Sequence, residues 1–238
     1  MNRNKLIFLI LTIVCGFCIW EWGNTVFIFF ESSQPSRSFG SPAHGSLQNG
    51  KRLPTRGKNF QAYSNLGALL GRNSVQDRVR TLILDCYDQL NQILPDVHFV
   101  YGETGWPQGG PFPPHKTHQN GLSVDFFVPV RDQNRKSVPY PAAIWNKFGY
   151  GLEFDSDGKS GAYQIDFEAI AQHLQRLQAT ASKYGLSIDV VIFDNALQNH
   201  LFKTPTGQTI RTIIPFSKSQ PWVRHDEHYH VNFRLAGK

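Results

Sequence analysis

Two segments, 122–130 and 228–235, alternate apolar and polar residues with a period of two, and each carries titratable groups on its polar side. In the first, Leu122, Val124, Phe126, Val128 and Val130 hold the even positions, while Ser123 and Asp125 fall on odd ones. In the second, "HYHVNFRL", the apolar face is Tyr229, Val231, Phe233 and Leu235, and the polar face is His228, His230, Asn232 and Arg234. A period of two is that of a strand with one face on a core. Asp125 is therefore expected to point away from the core, toward whatever covers the other face of the sheet. His228 and His230 lie roughly 6.5 to 7 Å apart along such a strand, close enough for both rings to reach one metal or one substrate.

Helical periodicity separates these strands. Ser74 reads as an N-cap, and Val75, Val79, Leu82, Cys86, Leu90 and Ile93 follow at three- and four-residue steps before Pro95. That stripe makes Cys86 a core residue rather than a nucleophile. A short strand over 97–102 leads into "GETGWPQGGPFPPHKTH", whose glycines and prolines forbid regular structure. A second helix spans 167–184, with Phe167, Ile170, Leu174, Leu177 and Ala181 on one face and Gly185 as its stop. After it, "IDVVIF" and "TIRTII" read as strands. Strands and helices mixed without regular βαβ alternation predict an α+β fold built on an antiparallel sheet.

The chain of 238 residues suits one domain of ordinary size plus a terminal segment. Arg3 and Lys5 precede an uncharged apolar run, Leu6 to Trp20, the layout of a signal peptide or an uncleaved signal anchor over 1–30. No A-x-A cleavage site follows, since the first alanine is Ala43, and a second apolar stretch covers 26–30. In either version the cationic flank stays inside and the rest of the chain lies outside the cytoplasm, with membrane anchoring through 6–30 as one outcome. Residues 31–57, rich in Ser, Gly and Pro, are expected to be a linker, leaving 58–238 as the folded domain.

Net charge is +6, and 1–30 contribute only Arg3, Lys5 and Glu21, so the basic balance belongs to the domain. A basic surface favours anionic partners in general. With no run of five Lys or Arg and no reader motif, nucleic acid is not among the expected partners. Cys15 and Cys18 lie in the apolar segment, which leaves Cys86 alone in the domain and excludes a disulfide framework.

His118 lies seven residues before Asp125, at the end of the irregular loop, where the chain can fold back beside the carboxylate. Imidazole and carboxylate are the ligands of catalytic zinc, which takes three protein groups and keeps one position open. His118, Asp125 and one of the C-terminal histidines would make such a set, on one face of the sheet.

The two motifs together, "GGPFPPHKTHQNGLSVDFF" and "HDEHYHV", with "GSLQNGKRLP" and "LGRN" upstream, resemble the penicillin-insensitive murein endopeptidases. These are zinc peptidases related to lysostaphin-type enzymes and D-alanyl-D-alanine peptidases. The resemblance implies a sheet flanked by helices, with His118, Asp125 and His230 as zinc ligands and His228 at the active-site position beside the metal. It implies hydrolysis of D-alanyl to meso-diaminopimelyl cross-links in peptidoglycan, at a periplasmic, secreted or membrane-anchored location.

Glu227 and His230 form E-x-x-H, the spacing of related carboxypeptidases and dipeptidases, so Glu227 rivals His228 as the base. His115 and His225 also match family histidines, as supporting donors or as an additional metal site. A carboxypeptidase or dipeptidase acting on terminal D-alanine, and a non-catalytic wall-binding zinc module, are the alternative functions. Well-known family members rely on disulfides that this chain lacks, so packing must hold it together.

Overall fold

The computed structural model describes residues 2–219 and 223–237. Six α-helices lie among the described residues: α1 (Arg3–Phe29), α2 (Asn65–Leu69), α3 (Asp77–Ile93), α4 (Phe167–Ala181), α5 (Asn195–Leu201) and α6 (Pro205–Ile213). The central sheet has five strands, β1 (Phe60–Ala62), β2 (Phe99–Tyr101), β3 (Ser123–Phe127), β4 (Leu186–Ile192) and β5 (His228–Leu235). Their spatial order is β4-β5-β3-β2-β1. Within this sheet only the β1–β2 pair is parallel, so the expected α+β class with antiparallel pairing holds. A smaller antiparallel sheet joins the short strands 159–160, 163–165, 130–131 and 137–138.

The two strands read from alternation are neighbours, and their register sets His230 opposite Asp125 and His228 opposite Phe127. On the other side of β5, Ile192 stands opposite His230. The opposite faces of β3 and β5 turn Val124, Phe126, Tyr229, Val231 and Phe233 into the core, all at most 2% exposed. Helices α3 and α4 cover that side with Val79, Leu82, Cys86 and Leu90 from one and Ile170, Leu174 and Leu177 from the other. Between them His173 of α4 stacks on Tyr87 of α3 and meets Phe126 and Tyr229 edge-on. The polar face is covered too, since every residue of β3 is buried.

Three expectations change. Ser74 is not a helix cap: 74–75 pair as a strand with 51–52, and Gln76 caps α3 by accepting from the amides of Arg78 and Val79. A side chain that reaches two orphan amides does the work expected of Ser74. "TIRTII" belongs to α6 rather than to a strand. Thr204 accepts from Gly207 N at 3.0 Å with Pro205 at the first helical position, a start signal that outweighs the β-branched run. Ile210 and Ile214, four apart, are both buried, which serves the helical period equally well. The stretch expected as a linker, 31–57, contains strands 37–40, 45–48 and 51–52, with Leu47 and Leu53 buried. Ser36 exchanges hydrogen bonds with Asp77 at the start of α3, which fastens this polar segment to the domain.

Candidate metal centre

The loop between β2 and β3 returns over the polar face of the sheet and brings His115 and His118 above Asp125. His118 sits in the left-handed region at φ 69°, a conformation that costs a non-glycine residue on the order of 1 kcal/mol. The turn is held by His118 Nδ1, which donates to the Thr104 carbonyl at 3.1 Å. Gly105 must pass close by, because a Cβ there would stand 2.6 Å from the His118 carbonyl oxygen, and its φ of +143° also disfavours a side chain.

With Nδ1 occupied, His118 presents Nε2 to Asp125. That nitrogen lies 3.2 Å from Asp125 Oδ1 but out of line for a hydrogen bond, so it is a fully buried polar atom with no hydrogen-bond partner. Burial pushes the imidazole below its ordinary range and keeps it neutral, with the Nε2 lone pair available. A buried lone pair without a donor is costly unless something electrophilic fills the place.

Asp125 is the centre of the group. Its Oδ1 lies 2.8 Å from His230 Nδ1 and 3.7 Å from His228 Nε2, while Oδ2 accepts from the Tyr150 hydroxyl at 2.9 Å; the other ring nitrogen of His230, Nε2, meets Asn232 Oδ1 at 2.9 Å. Burial alone would raise this carboxyl. The facing histidines outweigh it, His118 and His228 foremost, and hold it well below the usual carboxylate range. Burial and the charge of Asp125 push the Tyr150 phenol well above its ordinary value, so it remains a donor.

His115, His118 and Asp125 offer ligand atoms that all lie within 4.8 Å of one another, a cluster able to hold a metal ion. His230 joins through Asp125 and through its ring, whose centroid is 4.8 Å from that of His118. The three residues expected as ligands are thus brought together, and His115 stands nearer the centre than its expected supporting place. His115 Nε2 meets Glu103 Oε2 at 2.6 Å, and its Nδ1 is 3.9 Å from Asp125 Oδ2.

His228 and Glu227 enter from the C-terminal motif. β5 begins at His228, so strand alternation does not govern Glu227, and its Oε1 takes the His228 Nδ1 contact at 3.0 Å. Burial opposes a charge on His228, but Asp125 and Glu227 outweigh it and push the imidazole up to about 9. A divalent cation nearby acts in the opposite direction. The His225 ring lies tilted at 45° with its centroid 4.6 Å from that of His228, and its Nδ1 donates to the Val223 carbonyl. Burial, reinforced by the charge of His228, brings it down to about 4.

Four contributors escaped sequence reasoning: Arg72, Glu103, Thr104 and Tyr150. Glu103 is paired with Arg72 through both carboxylate oxygens and accepts from the Tyr63 hydroxyl at 2.8 Å. Burial would raise its carboxyl, yet Arg72 and His115 hold it at about 2. An acid directly after an expected strand, in "GETG", was the available signal for Glu103. Tyr150 comes from a loop with no pattern of its own.

The group opens into a cleft of about 920 Å³ with apolar walls from Leu66, Leu70, Ile144 and Phe148 and cations at Lys147 and Arg224. The family model described as penicillin-insensitive murein endopeptidase matches residues 38–237. The chain belongs to that family. The match to these murein endopeptidases begins inside the stretch expected as a linker, in agreement with its strands. Among curated proteins, none matches the chain.

Proposed function

We propose that this murein endopeptidase is a zinc-dependent DD-endopeptidase that hydrolyses D-alanyl to meso-diaminopimelyl cross-links outside the cytoplasm. The observation that carries the reading is the buried, partnerless Nε2 of His118 beside Asp125 Oδ1, itself 2.8 Å from His230. Two imidazoles and a carboxylate are a donor set that zinc accepts with a position to spare. His118, Asp125 and His230 would hold the ion, with His115 close enough to exchange with one of them. When bound, zinc supplies Lewis acidity toward the scissile carbonyl and acidifies water.

The protein's own groups do the rest. Thr104 fixes the tautomer of His118, and Tyr150 fixes the Asp125 carboxylate. His228 carries the proton at Nε2, since Glu227 occupies its Nδ1 and orients the ring. Glu227 therefore acts through His228 rather than as the base itself, which disfavours the carboxypeptidase alternative built on E-x-x-H. The cations at the cleft suit stem peptides that carry free carboxylates.

Purified protein with verified zinc occupancy should convert cross-linked muropeptide dimers to monomers, and Asp125→Ala should lose both metal and activity. Dimers left intact by zinc-loaded protein would overturn the reading. Free D-alanine released from monomers would favour the carboxypeptidase instead.

A further inference from the structure

Helix α1 reverses the burial pattern of a soluble helix. It has apolar residues on every side, and Phe8 and Ile13 are 73% and 62% exposed. The one residue it buries is an asparagine, Asn24, at 3%. At 27 residues the helix is about 40 Å long, against roughly 30 Å for a bilayer's hydrocarbon layer. Its hydroxyl at Thr12 is satisfied inside the helix by the Phe8 carbonyl, as lipid requires. Arg3 and Lys5 stand at one end, and Trp20 and Trp22 at the other, where indoles meet headgroups.

The other end is built into the domain. Asn24 Nδ2 donates to the Leu53 carbonyl at 3.0 Å, and Asn73 donates to Asn24 Oδ1 at 3.1 Å. Gly23 lies against α2 so closely that a Cβ would meet Leu69 Cδ2 at 2.4 Å. The Arg52 guanidinium covers the Phe27 ring at 4.5 Å, and Glu31, just past the helix, pairs with Arg80 at 2.7 Å. Loss of 1–30 would take a partner from each side of this contact: Asn73 would keep only the Leu53 carbonyl, and Arg52 would lose the ring it covers while keeping the Ala68 carbonyl.

We propose that α1 is a permanent part of the fold, spanning a lipid bilayer and docked by its last turns onto the domain, so that no flexible tether separates the two. One consequence concerns the cleft. Helix α2 receives Gly23 at Leu69 and contributes Leu66 and Gly67 to the cleft wall. This part of the cleft wall therefore lies within a helix diameter, ~10 Å, of the anchor. On the peptidase reading, its substrates are the stem peptides nearest the membrane, although the anchoring itself does not depend on that reading.

Two measurements on the full chain test the proposal. After expression with its native N-terminus in a bacterial host, the protein should stay in membranes through an alkaline carbonate wash, and its intact mass should include the helix. A shortened chain, or release by carbonate, would overturn retention. In lipid nanodiscs, Asn24→Ala should speed hydrogen exchange across 51–56 about tenfold or more while leaving 123–127 unchanged. Equal exchange in both proteins would overturn docking. Neither outcome bears on whether the cleft cleaves muropeptides.

Discussion

Tyr150 donates its hydroxyl to Asp125 Oδ2 at 2.9 Å while accepting the amide of Glu103 at 2.8 Å. One phenol thus ties the central carboxylate of the candidate metal centre to the loop that carries its ionic support. Tyr150→Phe removes both bonds inside a buried site, which should cost about 1–3 kcal/mol of stability. Loss of a hydrogen bond that orients a ligand typically lowers metal affinity roughly 10–100-fold. Chelator competition gives the affinity and thermal melting the stability. Wild-type zinc affinity in the variant would mean that Tyr150 does not hold the carboxylate for the metal.

Gly102 offers a way to disturb the same pair without touching either polar group. A Cβ at this position would lie 2.6 Å from the Tyr150 hydroxyl oxygen and 3.0 Å from Asp125 Cβ. Gly102→Ala should displace Tyr150 or Asp125, at a cost of about 1–3 kcal/mol for overpacking, and lower zinc occupancy with it. Full occupancy together with a wild-type melting temperature would mean that the close approach has no consequence.

The side of the site that depends on strand parity was legible in the sequence. Alternation put Asp125, His228 and His230 on polar strand faces, and all three meet on one sheet face. Alternation says nothing about register, so the pairing of His230 with Asp125 across β3 and β5 had to come from the fold. Nor did any periodicity reach Glu103, Thr104 or Tyr150, because their place follows from the path of loops and from contacts made only on closing the structure. "TIRTII" misled for a different reason: isoleucines four apart satisfy a helix as well as β-branching satisfies a strand, and the Thr204–Pro205 cap decides between them. In 31–57, composition alone argued for a linker, whereas single buried anchors such as Leu47 and Leu53, with Ser36 bonded to Asp77, suffice to pin a polar chain.

Glu103 links Arg72 to His115, and its removal tests that link. Glu103→Gln keeps the shape but leaves the Arg72 charge without its partner, which should cost about 3–5 kcal/mol in so enclosed a place. The wild-type carboxyl is held at about 2, against 4.5 when unfolded. Its stabilisation, on the order of 3 kcal/mol, is therefore fully present above pH 4.5 and lost as pH falls toward 2. Urea titrations between these limits should find that component of the acid sensitivity absent from the variant. An identical pH dependence in the two proteins would mean that the ion pair adds nothing to folding.

His173 provides an acid response from the core, on the face of the sheet opposite the proposed ligands. It is fully buried between α3 and the sheet, with Nδ1 against the Tyr229 hydroxyl, and burial lowers its pKa from 6.5 to about 3. The folded protein keeps this imidazole neutral while the unfolded chain takes up a proton below pH 6.5. Stability is therefore fully present above pH 6.5 and falls as pH drops toward 3, by at most about 5 kcal/mol from this residue. His173→Asn keeps a polar atom near the Tyr229 hydroxyl and removes the titration. The variant should be less stable at neutral pH because the smaller side chain leaves a void, yet its stability should decline less steeply from pH 6.5 to 4, with about one proton fewer taken up on unfolding. Parallel curves for the two proteins over that range would mean that His173 takes up its proton equally in the folded and unfolded states, and the prediction would fail.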